Sequence, residues 1–93
     1  MKIESVEIYS DASNAVVLRH PGRRFPGCLL QGDTLNNFVT SLAKARNEAE
    51  RLSEDAAENL REVHDHLAEI LEHYAGVLKE HGLELPYRES ERH

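Results

Sequence analysis

The sequence predicts an α+β fold: a three-stranded, mostly antiparallel sheet followed by an antiparallel two-helix hairpin. Short segments of alternating apolar and polar residues in the first third are typical of strands. Farther along, apolar residues recur at spacings of three and four, the period of an amphipathic helix. The 93 residues suit one domain, because two would each approach the ~40-residue limit for unaided folding. We therefore expect one domain over 1–93, with strands in 1–32, helices over 33–52 and 53–82, and a tail over 83–93.

The first two strands form a predicted hairpin. Residues 2–9 are assigned to the first strand, because Val6 and Ile8 flank a charged residue. Residues 10–14 are short polar side chains that favour a turn. The segment 15–19 is rich in apolar and β-branched residues, which predicts the second strand.

A loop bounded by two Pro-Gly steps precedes the third strand. Pro21 and Pro26 each lack an amide donor, so neither fits a central strand. Residues 28–31 are mostly apolar and predict a short third strand that Gly32 ends.

The first predicted helix covers residues 33–52, with Asp33 or Thr34 as its N-cap. One continuous apolar face follows from the spacing of Leu35, Phe38, Leu42, Ala45, Ala49 and Leu52.

The second predicted helix begins after Ser53, a fresh N-cap, and ends at Gly82. Its apolar seam consists of Leu60, Val63, Leu67, Ile70, Tyr74 and Val77, widened by Leu71 and Leu78. Matching apolar faces on consecutive helices with a short connection predict an antiparallel hairpin.

A glycine within the second helix and an alternating pattern in the tail each predict a further detail of the fold. Gly76 lies inside the second helix, where glycine is unfavourable, and predicts a close approach to another backbone, with simple tolerance of the glycine as the alternative. Leu83, Leu85 and Tyr87 alternate with other residues, which predicts a short edge strand in the tail.

The acidic charge is concentrated on the second helix. Overall, 11 Lys and Arg face 17 Asp and Glu, a net charge of −6. Residues 1–52 carry seven basic and six acidic side chains, whereas residues 53–82 carry two basic and eight acidic ones. This balance disfavours nucleic acid as the main direct partner, and it disfavours an anionic membrane. We expect a basic protein partner, with candidate contacts at Glu58, Glu62, Asp65, Glu69 and Glu72.

Cysteine content and hydropathy indicate the compartment. One cysteine excludes an internal disulfide bond. The N-terminus lacks the apolar core of a signal peptide, and no apolar run approaches the ~20 residues that span a bilayer. We expect a cytoplasmic protein.

Two resemblances to known families follow from the loop and the third strand. The segment with Pro26-Gly27-Cys28 followed by Gly32-Asp33-Thr34-Leu35 resembles the motif of HicB-type antitoxins, and the resemblance covers residues 15–46. It implies a strand-loop-strand unit that enters a helix, and an inhibitory role. The run from Arg19 to Gly27, continued by Gln31-Gly32-Asp33, resembles a small bacterial family of unknown function. Neither resemblance implies a catalytic residue.

An arginine cluster surrounds the proline-stiffened loop. Arg19, Arg23 and Arg24 are suited to recognise phosphate or carboxylate groups, because a guanidinium group offers several donors in a fixed plane. The alternative is that these arginines pair with the acidic second helix, either of the same molecule or of a second copy.

The histidines of the second helix and Cys28 are candidate sites of chemistry. His66, Glu69 and His73 share one helix face, but the His-x-x-x-His spacing of a helical zinc site is absent. We therefore expect no metal and no cofactor, and solvated histidines on the second helix. Cys28 is expected to be buried as a small apolar residue, which argues against a nucleophile served by His20.

The sequence therefore predicts a non-enzymatic interaction protein, an inhibitor of the antitoxin or immunity kind. One alternative is a module that binds an anion, nucleotide or RNA through the arginine loop. Another is an accessory subunit of a larger assembly. We also expect a homodimer, formed through the sheet edge or the helix seam, because so small a sheet has exposed edges.

Overall fold

The computed structural model describes residues 1–89. It confirms the α+β class, with three antiparallel strands followed by two packed helices. The elements are β1 (Glu7–Ser10), β2 (Val16–Arg19), β3 (Gly27–Leu29), α1 (Gly32–Arg46), a 3-10 turn (Ala49–Arg51) and α2 (Glu54–Glu80). The chain divides into a β unit, Met1–Gln31, and a helical unit, Gly32–His93. Residues 90–93 of the predicted tail lie outside the described residues.

The sheet of the β unit has the strand order β1-β2-β3, and both pairings are antiparallel. Ile8 lies opposite Leu18, and Val17 lies opposite Cys28. The first strand begins at Glu7 rather than at residue 2, and its register shifts between Ile8 and Ser10. Such a shift increases the local twist of the strand and interrupts the regular hydrogen bonding between β1 and β2.

Cys28 is exposed, so the prediction of a buried cysteine was wrong. It lies in β3, which has only three residues and forms one edge of the sheet. An edge strand has a neighbour on one side only, and all three residues of β3 are exposed. Period and residue type predicted the strand, but they did not reveal this edge position.

Helix α1 begins at Gly32, and the Asp33 carboxylate accepts a hydrogen bond from the Thr34 amide at 2.8 Å. The helix ends at Arg46, so the prediction that it continues to residue 52 was wrong. Its ladder tightens at the next residue, because the Asn47 amide is shared between the carbonyls of Ala43 and Lys44. Asparagine favours such local turns over helix propagation.

Both predicted ends of α2 are confirmed. The Ser53 hydroxyl accepts a hydrogen bond from the Ala56 amide at 3.2 Å, as an N-cap does. At the other end, Gly82 has a φ of 68°, and the Leu83 amide donates to the Leu78 carbonyl at 2.9 Å. This arrangement is a Schellman motif, which requires a left-handed residue and so favours glycine.

The helical core is small and lies between α1 and α2. Val39 is fully buried, and Leu35 and Leu71 are buried against it. Ala75 is also buried. Four further side chains are partly buried around this cluster: Leu67, Ala68, Tyr74 and Tyr87.

The buried face of α2 differs from the predicted seam. Its centre is His64, Leu71 and Ala75, whereas Val63 and Ile70 are 50% and 44% exposed. With 3.6 residues per turn, these two faces are about a quarter turn apart. This packing of α2 against α1 also brings His64 close to Arg46 of α1. The Arg46 guanidinium donates a hydrogen bond to the His64 ring at 2.9 Å.

No strand forms over residues 83–89, so the predicted edge strand in the tail was wrong. Tyr87 instead stacks on Tyr74 of α2, with ring centroids 6.5 Å apart and planes 25° apart. This stacking partly buries the Tyr87 ring against the helical core. The Tyr87 hydroxyl is buried, and no described residue hydrogen-bonds to it.

Replacing Tyr87 with phenylalanine is expected to raise stability by up to about 1 kcal/mol, because a buried hydroxyl without a partner is costly. Burial, and then the nearby Glu89 carboxylate, raise the pKa of Tyr87 above its usual value. The wild-type protein should therefore lose stability as pH rises through the folded pKa, from about pH 10 upward. Thermal unfolding between pH 8 and 11 measures this, with Tyr9→Phe as an exposed control. An alkaline loss in Tyr87→Phe equal to that of the wild type would contradict the prediction.

Two glycines should respond to alanine in opposite directions. A Cβ on Gly32 would clash with the Tyr74 ring, so Gly32→Ala must displace that ring and should cost about 1–3 kcal/mol. A Cβ on Gly76 would meet nothing within 4 Å among the described residues, so the predicted close approach was wrong. Gly76→Ala should stabilise the helix by about 1 kcal/mol. Urea unfolding followed by circular dichroism compares both variants, and a stabilised Gly32→Ala would overturn the described packing.

Candidate functional site

The predicted acidic contacts are all exposed on α2, but two of them are paired within the helical unit. The Asp65 carboxylate accepts a hydrogen bond from Arg46 of α1 at 2.7 Å. Glu58 pairs with Arg61, one turn farther along the same helix. These two pairs leave less negative charge for a partner than the sequence alone indicates.

Glu62, Glu69 and Glu72 form no ion pair within the described part of the helical unit. Glu62 and Glu69 are seven residues apart, so they lie on one side of the helix, two turns from each other. Glu72 lies on the flank of Asp65, which is likewise seven residues away. The unpaired acidic charge is therefore divided between two flanks of α2.

Exposed apolar side chains lie beside the first of these flanks. Val63 and Ile70 are also seven residues apart, and about half of each side chain is exposed. A shallow groove of about 420 Å³ lies between Glu62, Val63, His66 and Leu67. We call this surface the outer face of α2, and it consists of Glu62, Val63, His66, Glu69, Ile70 and His73. Its acidic and histidine positions lie roughly opposite the helix side that carries Leu71 and faces α1, and Val63 and Ile70 lie about a quarter turn from that side.

Sequence reasoning identified the acids of the outer face but not its apolar part. It assigned Val63 and Ile70 to the seam with α1, whereas the structure exposes both. One available signal was the width of the stripe. Leu71 and Leu78 extend the apolar positions to one side of Val63 and Ile70, so the stripe allowed a register centred away from those two residues.

His64 is buried, so the prediction that the histidines of α2 are solvated was wrong at this position. Its Nδ1 accepts a hydrogen bond from Arg46, which leaves the proton on Nε2, and Nε2 is buried without a partner among the described residues. His66 and His73 are exposed. Within residues 1–89, no three His, Cys, Asp or Glu side chains are placed to hold a metal ion.

Arg19 of the arginine cluster is engaged in the sheet. It lies opposite Glu7 in the β1-β2 pairing, and its Nε donates to the Glu7 carboxylate at 2.6 Å. This hydrogen bond, with a second from Tyr9, lowers the pKa of Glu7, and the same pairing raises the pKa of Arg19. Arg19 also donates to the Arg23 carbonyl at 3.2 Å. Its role within the β unit is to hold the loop.

The side chains of Arg23 and Arg24 take no part in this ion pair, and both residues line a pocket of about 440 Å³. Neither forms an ion pair with a carboxylate of the β unit. The Arg24 guanidinium lies over the Phe25 ring, 5.2 Å from its centroid. The complete lining, all within the β unit, is Leu18, His20, Arg23, Arg24, Phe25, Gly27, Cys28 and Leu29.

The fold and these two surfaces define a small α+β protein with one acidic and apolar helix face and one basic loop pocket. No described helix has the length and apolar character needed to cross a membrane. The model of a family of unknown function, DUF6959, matches residues 1–87, and the chain belongs to that family. This confirms the expected membership of a family of unknown function. No curated protein and no solved structure matches the chain.

Proposed function

We propose that this protein is a small inhibitor of a basic protein, of the antitoxin or immunity kind, and that the outer face of α2 is its contact surface. One observation carries the proposal: the half-exposed Val63 and Ile70 lie directly beside Glu62 and Glu69. Protein interfaces combine an apolar centre with a polar rim, which is the composition of this face.

The charge of the outer face favours a basic partner. Glu62 and Glu69 have no ion-pair partner within the described part of the helical unit, and residues 53–82 carry eight acidic and two basic side chains. A surface of one sign attracts a partner of the opposite sign and speeds encounter. A second copy of α2 would bring the same acidic side chains together, and like charges oppose such contact.

Helix α2 is also a rigid platform. Ser53 caps its beginning, Gly82 ends it, and Leu71 is buried against α1 between these points. A preorganised surface loses little conformational entropy when it binds, so more of the contact energy appears as affinity.

An inhibitory role is supported by the resemblance of residues 15–46 to HicB-type antitoxins, which rests on Pro26-Gly27-Cys28 and Gly32-Asp33-Thr34. The proposed contact residues lie outside that segment, because the outer face belongs to α2, farther along the chain.

Homodimerisation stays a prediction, and the unpaired edges of β1 and β3 are its candidate surface. Light scattering at micromolar concentration tests it, and a monomer mass would contradict it.

The proposed function is tested by capture followed by co-expression. Tagged wild-type protein and a Val63→Ser/Ile70→Ser variant are each incubated with host lysate, and bound proteins are eluted with salt and identified. We expect one basic protein that the wild type retains and the variant loses. Expressed alone, that protein should inhibit growth, and co-expression of the wild type should relieve the inhibition.

A matched control is Ile3→Ser/Val6→Ser, which removes two exposed apolar side chains of the β unit. This control should still capture the partner and relieve growth inhibition. Capture lost equally in both variants would contradict the assignment to α2. A captured protein whose activity is unaffected by co-expression would contradict inhibition and would favour an accessory subunit.

A further inference from the structure

We propose that the pocket beside the Pro-Gly loop binds a nucleotide, with Arg23 and Arg24 on its phosphate and Phe25 against its base. The pocket lies wholly within the β unit and shares no residue with the outer face of α2. The inference is therefore independent of the proposed inhibitory function.

The polar groups that line the pocket are mainly hydrogen-bond donors. Arg23 and Arg24 each present a guanidinium group that no carboxylate of the β unit neutralises. His20 adds a third donor, because its Nδ1 accepts a hydrogen bond from the Gly22 amide at 3.0 Å and the proton therefore lies on Nε2. Two guanidinium groups beside an imidazole N–H are suited to a phosphate, whose oxygens accept several hydrogen bonds at once.

The remaining walls are apolar and suit a flat ring. Leu18 and Leu29 line the pocket from neighbouring strands, and Phe25 lines it from the loop. Phe25 is 71% exposed although Arg24 lies over its ring, so much of its surface remains open for stacking. Bases stack on aromatic rings, and Phe25 provides such a ring in this pocket. The volume of about 440 Å³ is within the ~300–1,000 Å³ range of small-molecule sites.

The loop holds these groups in place before a ligand arrives. The Arg23 amide donates to the His20 carbonyl at 2.9 Å, which closes a turn around Pro21. Arg19, anchored on Glu7, donates to the Arg23 carbonyl. Fixing the loop in this way lowers the entropy lost on binding.

The charge of the chain favours a small nucleotide over a long nucleic acid. The β unit carries four basic and three acidic side chains, and the whole chain has a net charge of −6. Two unneutralised arginines match one phosphate group, whereas a long strand needs an extended cationic surface. A phosphate group attached to a nucleoside is also present at the end of an RNA strand, so the test includes both free nucleotides and a short RNA.

Isothermal titration calorimetry of the full chain tests the proposal with four ribonucleoside monophosphates, adenosine, inorganic phosphate and a single-stranded RNA tetranucleotide. We expect at least one monophosphate to bind more tightly than both adenosine and phosphate. Arg23→Ala and Arg24→Ala should each weaken this binding about tenfold or more, because each removes a charge-assisted hydrogen bond. Phe25→Ala should remove the preference for the nucleotide over inorganic phosphate.

Lys44→Ala is the matched control, since it removes an exposed cation of α1 and should leave the affinity unchanged. Circular dichroism checks that each variant is folded. A monophosphate that binds as tightly as the tetranucleotide supports a free nucleotide as the ligand, whereas tenfold tighter binding of the tetranucleotide supports the end of an RNA strand. The proposal is overturned if no nucleotide binds, or if the arginine variants bind as the wild type does.

Discussion

Replacing Leu71 with alanine is expected to lower the free energy of unfolding by about 2–5 kcal/mol, the usual cost of a large-to-small change in a core. Leu71 is 5% exposed and packs against Leu35 and Val39. Small domains commonly have ~5–15 kcal/mol of stability in total. With so few buried residues in the helical unit, this single change should therefore remove much of its stability.

Ile70→Ala is the matched control, since it truncates the neighbouring side chain by a similar volume. Ile70 is 44% exposed on the outer face, so its loss should cost less than half as much as that of Leu71. Urea unfolding of both variants, followed by circular dichroism at 222 nm, makes the comparison. Equal losses would place Ile70 in the core, as the sequence predicted, and would contradict the structure.

Reversing charge at Glu62 and Glu69 is expected to have the second large effect. The double variant Glu62→Lys/Glu69→Lys should slow association with the basic partner by about tenfold or more at low salt, because it removes electrostatic steering at the contact surface. Stopped-flow association with the captured partner measures the rate. The dependence of that rate on salt concentration should also become weaker.

The control for this experiment changes net charge by the same amount elsewhere. Glu50 and Glu84 are exposed and form no ion pair within the described residues of the helical unit. Glu50→Lys/Glu84→Lys should therefore slow association far less than the change on α2. If both double variants slow it equally, overall charge and not the outer face determines the rate.

Local chemistry made most elements of this fold predictable. Ser53 and Gly82 limit α2 because a serine cap and a left-handed glycine act within one turn of the helix. The end of α1 was less predictable, because the apolar period continues to Leu52 although the helix stops at Arg46. At that boundary the Asn47 amide is shared between the carbonyls of Ala43 and Lys44, which tightens the last turn.

The register of the helix pair depends on long-range contacts, which a periodic pattern does not contain. The apolar residues of α2 fit two neighbouring faces, and the one containing Leu71 packs against α1. Arg46 contacts both His64 and Asp65 in that register. An arginine on one helix and a histidine on the next, 18 residues away, give no periodic signal from which to predict this pairing.

The candidate sites were predictable only in part for the same reason. Residue type and composition located the acidic helix and the arginine loop. Which side chains are already paired depends on strand and helix register, as the Arg19 bond to Glu7 and the Arg46 bond to Asp65 show. The pocket that brings Arg23 and Arg24 beside Phe25 also depends on the conformation of the loop.

Site-specific photocrosslinking tests the central claim, that the outer face of α2 contacts a basic protein. A benzophenone side chain is placed at Ile70 in one protein and at the exposed Glu50 in another, and each is irradiated in host cells. We predict that the probe at Ile70 links to one basic protein, and that the probe at Glu50 does not. Links from Ile70 only to the protein itself, or equal links from both positions, would contradict the claim.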